Sequence, residues 1–343
     1  MDKYVPPIIG HNIGTTYGYI TTADRAVETG ADVFQIFYRP SRSYKPYHRP
    51  EADTLELAKR IKQYEKPMVI HSSYIINICQ PSDDYRHYDG VAIIVDDLNV
   101  SAQLGAIGVI IHMGNDPDEI GSDVCKANYI TGIKSSLAKS DPQSTLILET
   151  GTGCGKEVST SLEELGAIRN GLSDTEKSRV KFCLDTCHLF AAGYAIDDPL
   201  YLKLFEIEVD RHLGWNNVVV VHLNDSKNLL NSHKDNHQDI GKGEMNFLGF
   251  MGFIDICARR KIPMILETPC NFYNNIQFTH MMQMKLIRDY HRLIYSSEYM
   301  GPGVVIVTKT DSHKEIKQAK NAQQRIIKTK KIATKATKSV NSS

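Results

Sequence analysis

Eight short apolar runs, each followed by a longer stretch of helical character, succeed one another along this 343-residue chain. The runs fall at residues 7–11, 32–37, 67–71, 107–112, 145–149, 180–185, 217–222 and 263–267. Between them, segments such as 51–64, 90–104, 159–170 and 247–260 carry helical patterning. The four valines 218–221 show why the runs read as parallel strands: a strand buried on both faces is continuously apolar rather than alternating. Parallel strands need long crossovers, and a helix supplies one. Eight such units predict a (β/α)8 TIM barrel over residues 1–300, with a doubly wound sheet as the alternative.

The last residues of the runs are His11, Phe37, His71, His112, Glu149, Asp185, His222 and Glu267, and all but Phe37 are His, Asp or Glu. In a barrel these ends converge on the C-terminal face, where the loops after the strands build active sites. A solvated surface would explain one or two such residues, but not their recurrence at the same point of successive units. Beyond His222 lie Asp235 and His237, two residues apart, a spacing that puts both side chains on one side of an extended segment. His188 follows Asp185 by three residues, so a turn beginning at the strand end lets the two face neighbouring ions. A core histidine would account for His222 alone; the set calls for metal. Imidazole with carboxylate suits zinc, manganese or iron, and a carboxylate can bridge two ions.

Charge narrows the function classes. The formal net charge is zero, but from Lys309 onward ten Lys or Arg stand against two Asp or Glu, so the tail is +8 and the remainder −8. An acidic body is unusual for a nucleic-acid binder unless cations offset it, and three divalent ions would bring it to about −2. The Lys-rich tail, 309–343, lacks sustained hydrophobic periodicity and is expected to be disordered, either a solubilising extension or a nonspecific DNA tether or targeting signal. Seven scattered cysteines without a Cys-x-x-Cys pair indicate neither a disulfide framework nor a zinc ribbon. No apolar run approaches the roughly 20 residues of a membrane span and no signal peptide is visible, so a soluble, monomeric intracellular protein is expected.

Three stretches carry a resemblance to a known family. They are His71-Ser72-Ser73-Tyr74-Ile75-Ile76-Asn77-Ile78, Leu184-Asp185-Thr186-Cys187-His188, and His222-Leu223-Asn224-Asp225-Ser226-Lys227 leading to Lys234-Asp235, His237 and Gly241-Lys242-Gly243. In this order they resemble the motifs of the endonuclease IV family of abasic-site endonucleases, over about residues 7–295. The resemblance implies a TIM barrel holding three metal ions, usually zinc, with manganese possible at one or more positions. It assigns His71 and His112 to the first ion with Glu149, which bridges to a second held by Asp185, His222 and Glu267. His188, Asp235 and His237 hold the third. His11 is not a family ligand and is expected behind a ligand or facing substrate, with a core role as the alternative.

The resemblance also implies a reaction and a substrate: hydrolysis of the phosphodiester 5′ to an abasic site in damaged double-stranded DNA, leaving a 3′-hydroxyl and a 5′-deoxyribose phosphate, with Glu149 as the catalytic bridging residue. An abasic nucleotide is already unpaired, so extruding it costs less than flipping a normal one. The loop of residues 38–49 interleaves cations with aromatic rings, which suits phosphates and bases. Where the family has Pro-Arg-x-Trp this chain has Ser41-Arg42-Ser43-Tyr44, so Arg42 is expected to insert at the lesion and Tyr44 to stand beside it. Tyr74 resembles the family's intercalating tyrosine. The competing readings are a metal-dependent sugar isomerase or epimerase of related fold, which has no evident use for the third ligand group, and a noncatalytic DNA-binding barrel.

Overall fold

The computed structural model describes residues 4–16, 18–45 and 47–296. Eight parallel strands close into a barrel: β1 (Ile9–Asn12), β2 (Phe34–Phe37), β3 (Met68–His71), β4 (Val109–Ile111), β5 (Leu146–Glu149), β6 (Val180–Asp185), β7 (Val218–His222) and β8 (Met264–Leu266). Each pairs with its neighbours in chain order and β8 returns to β1, with Ile9 opposite Met264. Closure excludes the doubly wound alternative. The expected Lys-rich tail, 309–343, lies outside the described residues.

Helices cover the outside, and their limits follow local chemistry. The helix Tyr85–Leu104 starts five residues before the expected 90, because the Asp84 carboxylate caps it through the Arg86 N–H, and it stops at Gly105 in a left-handed conformation. Leu162–Asn170 opens later than the expected 159 at a reciprocal cap between Ser161 and Glu164. No helix among the described residues is long and apolar enough to cross a membrane.

The barrel interior is a stack of layers. Val33, Val69, Ile110, Ile147, Cys183, Val220 and Ile265 fill one layer and are fully buried. Side chains alternate across a strand, so the residues two positions further on point into the same lumen, one layer nearer the C-terminal mouth. Those residues are Gln35, His71, His112, Glu149, Asp185, His222 and Glu267. The apolar layer is therefore the floor on which the candidate ligands stand. His11 has the other parity: its ring nitrogens meet the Asn12 carbonyl at 3.0 Å and the Thr29 hydroxyl at 2.9 Å, and its ring stacks on His280. It supports the helical layer rather than the lumen.

A buried ion pair braces the loop after β2. Arg39, expected among the loop's free cations, is 2 % exposed and donates through Nε and Nη2 to Asp97 Oδ1 at 2.9 and 2.8 Å. Ser72, next to His71, donates to the other Asp97 oxygen. Burial holds the Asp97 carboxyl above the usual carboxylate range even against the Arg39 guanidinium, so this pair gives geometry more than stability. Removing one partner strands the other. Arg39→Ala should destabilise the barrel by about 3–5 kcal/mol in denaturant unfolding. A loss below about 1 kcal/mol would mean that water reaches Asp97 and the pair is not a brace.

Candidate metal centre at the barrel mouth

All nine residues singled out as ligands come together. His71, Glu149, Asp185 and His222 end their strands, while His112 and Glu267 stand one residue past β4 and β8. His188 lies in the short helix Thr186–Ala191, which Asp185 caps by accepting the His188 N–H at 2.9 Å. That cap fixes strand end and helix in one turn, so Asp185 and His188 face the same region. Asp235 and His237 arrive on the loop after β7, where His237–Gln238 pairs antiparallel with Asp225–Ser226. Asp225, itself buried, accepts the N–H groups of Gly241 and Gly243 at 3.0 and 2.9 Å. A Cβ on Gly243 would sit 2.3 Å from an Asp225 oxygen, which is why glycine stands there.

Glu149 is the hub. Its Oε1 lies 2.7 Å from His222 Nδ1, while its Oε2 lies 3.4 Å from Nε2 of both His71 and His112. The two oxygens thus address different groups of imidazoles. Around His222 Nδ1 stand two further carboxylates, Glu267 Oε2 at 3.3 Å and Asp185 Oδ2 at 3.8 Å. A third group gathers at Asp235 Oδ1, with His188 Nε2 at 3.2 Å and His237 Nε2 at 3.3 Å, and His237 Nε2 also lies 3.5 Å from Asp185 Oδ2.

The donor set fits cations. Four buried atoms converge without a hydrogen-bond partner among the described residues: His71 Nε2, Glu149 Oε2, His188 Nε2 and His237 Nε2. Buried polar atoms left unpaired cost free energy, so their convergence marks a place for an ion. The opposite nitrogens are occupied: His71 Nδ1–H meets the Ser72 carbonyl at 2.8 Å and His188 Nδ1–H the Thr150 carbonyl at 2.7 Å. Such bonds fix the ring so that Nε2 faces inward. His71, Glu149 and His222 form one group able to hold an ion, Asp185, His188 and His237 another, and Glu149, Asp185, His222 and Glu267 a third.

Electrostatics agree with the geometry. Burial opposes charge on His188, His222 and His237, yet facing anions overcome it and push all three above the ordinary imidazole range, His237 up to about 9. For His188 and His237 the main anion is Asp185; for His222, with the buried Cys183 thiol pushed up to about 12 and so neutral, the facing anions are Glu267 and Glu149. Burial would raise Glu149, but the His222 and His112 imidazoles hold it well below the usual carboxylate range. His112 goes the other way, down to about 4, because burial dominates.

The recognition candidates stand beside it. Tyr74 is 42 % exposed, its ring 5.0 Å from Phe37, 5.1 Å from His71 and 5.2 Å from His112. Its N–H and the Ser73 hydroxyl both bond the Ser41 carbonyl, at 2.8 and 2.9 Å, so the loops after β2 and β3 are joined next to Arg42. Arg42 is exposed. Tyr44 turns inward: its hydroxyl donates to the Ile75 carbonyl and its ring packs on the core, which places it under the Tyr74 loop. Arg49 is likewise committed, with its guanidinium 4.2 Å over the Tyr19 ring. Of the cations interleaved with rings in this loop, Arg39 and Arg49 serve the fold, while Arg42, Lys45 and His48 face solvent.

Two residues that the strand-end reading passes over complete the site. Asn224 donates to Asp185 Oδ2 at 2.8 Å and accepts the Glu267 N–H at 3.0 Å. Gln35 bridges His222 and Glu267. The signal for Gln35 was its parity with Val33, two residues before it.

Fold and site together define a class: a TIM barrel of the xylose isomerase-like kind, whose family model matches residues 23–284, with histidines and carboxylates clustered across its mouth. A protein of Acanthamoeba polyphaga mimivirus that carries the name putative endonuclease 4 is 36 % identical over 270 residues, covering 78 % of this chain and 86 % of its own length. A probable endonuclease 4 from Persephonella marina is 31 % identical over 76 % of this chain and 90 % of its own. The crystal structure of endonuclease IV from Thermus thermophilus superposes with a TM-score of 0.69 at 27 % identity, covering 83 % of this chain and 98 % of that one. The chain belongs to the endonuclease IV family.

Proposed function

We propose that this protein is a metal-dependent DNA-repair endonuclease that hydrolyses the phosphodiester 5′ to an abasic site in duplex DNA, leaving a 3′-hydroxyl and a 5′-deoxyribose phosphate. The observation that carries the reading is the split of Glu149, one oxygen toward His222 and the other toward His71 and His112, as a carboxylate shared between two ions requires. His71, His112 and Glu149 would hold the first ion, Glu149, Asp185, His222 and Glu267 the second, and His188, Asp235 and His237 the third. Zinc suits imidazole and carboxylate donors, and manganese is the competing occupant. The relatives' names and the match across the barrel support the activity. The catalytic domain in this reading is 1–300, with the tail 309–343 an addition to it.

Divalent ions bound here would lower the pKa of water to about 7 and offset charge on the attacking and leaving oxygens. The chain's own residues supply placement. Glu149 fixes the spacing of the first two groups, while Asn224 and the Asp185 cap keep the second and third in register. The layer of Val33, Ile110 and Val220 closes the floor against bulk water. Arg42 and Tyr74, on joined loops at the rim, are the contacts proposed for the duplex. A sugar isomerase of this fold leaves the Asp235 group and this rim without a task.

Incision of a duplex carrying one abasic site, with the intact duplex as control, tests the reading. Cleavage 5′ to the lesion and none of the control is expected. Equal cleavage of both duplexes, or none by protein shown to hold its metals, would end it.

Tyr74→Ala should weaken binding to the lesion duplex by about 1–3 kcal/mol, the worth of one base-stacking ring, with little change in barrel stability because the side chain is partly exposed. A binding titration with unchanged affinity would remove Tyr74 from the interface.

A further inference from the structure

We propose that Gln35 is a positioning residue of the centre: its side-chain amide selects which nitrogen of His222 and which oxygen of Glu267 are offered to the second ion. The inference rests on the ligand assignment above and deepens it.

Gln35 lies on β2, fully buried, one layer above Val33. Its Nε2 donates to Glu267 Oε1 at 2.7 Å, and its Oε1 lies 2.8 Å from His222 Nε2. An ionised carboxylate only accepts hydrogen bonds, so the amide NH2 must face Glu267 and the amide carbonyl must face the imidazole. A carbonyl also only accepts. His222 Nε2 therefore carries the proton, and Nδ1 is the nitrogen left for the centre.

That choice decides the chemistry at Nδ1. Three carboxylate oxygens surround it, Glu149 Oε1 at 2.7 Å, Glu267 Oε2 at 3.3 Å and Asp185 Oδ2 at 3.8 Å. A neutral ring with its proton held at Nε2 presents a lone pair to three acceptors, an arrangement that repels unless a metal ion, or a second proton that the ion must displace, sits among them. His71 and His188 are set in the opposite sense, each giving Nδ1–H to a backbone carbonyl and turning Nε2 inward. At His222 a side chain, Gln35, performs the task that backbone carbonyls perform for those two. The same amide occupies Glu267 Oε1, so Glu267 meets the ion through Oε2 alone. Partners that hold a ligand from behind in this way tune metal affinity about 10–100-fold.

The test is a long-range proton–nitrogen correlation spectrum of the zinc-loaded full chain labelled with ¹⁵N-histidine, with assignment by a His222→Gln variant, together with elemental analysis. We expect His222 protonated at Nε2 and metal-bound at Nδ1, and His71 and His188 in the reverse sense. Gln35→Leu, which keeps the bulk and removes both bonds, should weaken retention of one ion by about 10–100-fold while the others stay bound. Gln35→Glu keeps an acceptor for His222 but sets a carboxylate against Glu267, so it should preserve the Nε2–H form and still lose affinity. His222 metal-bound through Nε2, or full retention of every ion by Gln35→Leu, overturns the proposal. Wild-type protein that takes up no zinc overturns the ligand assignment instead. Should Gln35→Leu not fold, the wild-type spectrum alone decides.

Discussion

Glu149→Gln should lose at least one bound ion and reduce incision by on the order of 10²–10³-fold or more, with the barrel still folded. The side chain is 1 % exposed and its two oxygens serve different imidazole groups, so no water can take its place at both. Glutamine fills the same volume, which spares the packing. It replaces one acceptor by an NH2 group and removes the negative charge. Whichever way the amide turns, one of the groups at His222 or at His71 and His112 faces a donor where it needs an anion. Elemental analysis, circular dichroism and the incision assay on one preparation separate the outcomes. Undiminished incision would remove Glu149 from the hub.

Stripping the ions should be equally severe, and its pH dependence has a definite sign. In the metal-free protein His188, His222 and His237 titrate above the ordinary imidazole range, His237 near 9, because their facing anions outweigh burial. At neutral pH these nitrogens hold protons that an ion must displace, so affinity falls as pH falls and rises up to about 9. Chelator treatment should therefore strip the protein faster at about pH 6 than at about pH 8. Incision should fall to background and return with zinc or manganese. Thermal stability should fall too, by roughly 4 kcal/mol for each ion previously held at about a thousand times its dissociation constant. A protein shown to be free of metal that still incises would exclude the whole scheme.

Strand ends were legible because two constraints coincide there. A buried parallel strand must be apolar, and the residue where it opens into a functional mouth need not be, so His71, Glu149, Asp185 and His222 stand out against their runs. His112 and Glu267 were equally visible although the ladder ends one residue before each. Which way a side chain faces was less visible. His11 closes its run like the others but has the outward parity, and only the register of β1 with β8 reveals it. Gln35 is hidden in the opposite way, since its run closes two residues later at the apolar Phe37 and the lumen-facing amide lies inside the strand. Arg39 and Arg49 read as loop cations because composition does not record that Asp97, 58 residues away, and the Tyr19 ring wait for them. Long-range partners of this kind leave no local trace.

The shared Ser41 carbonyl has a bearing on how a duplex would be met. With the Ser73 hydroxyl and the Tyr74 N–H both hooked to it, and Tyr44 propping Ile75 from below, the rim is a single preassembled edge rather than two independent fingers. A preassembled edge sacrifices little conformational freedom on contact, so the deformation required for a close fit falls on the nucleic acid. On the proposed function, discrimination would belong to the stiffness of the DNA: a backbone weakened by a missing base would bend to the edge, and an intact one would resist.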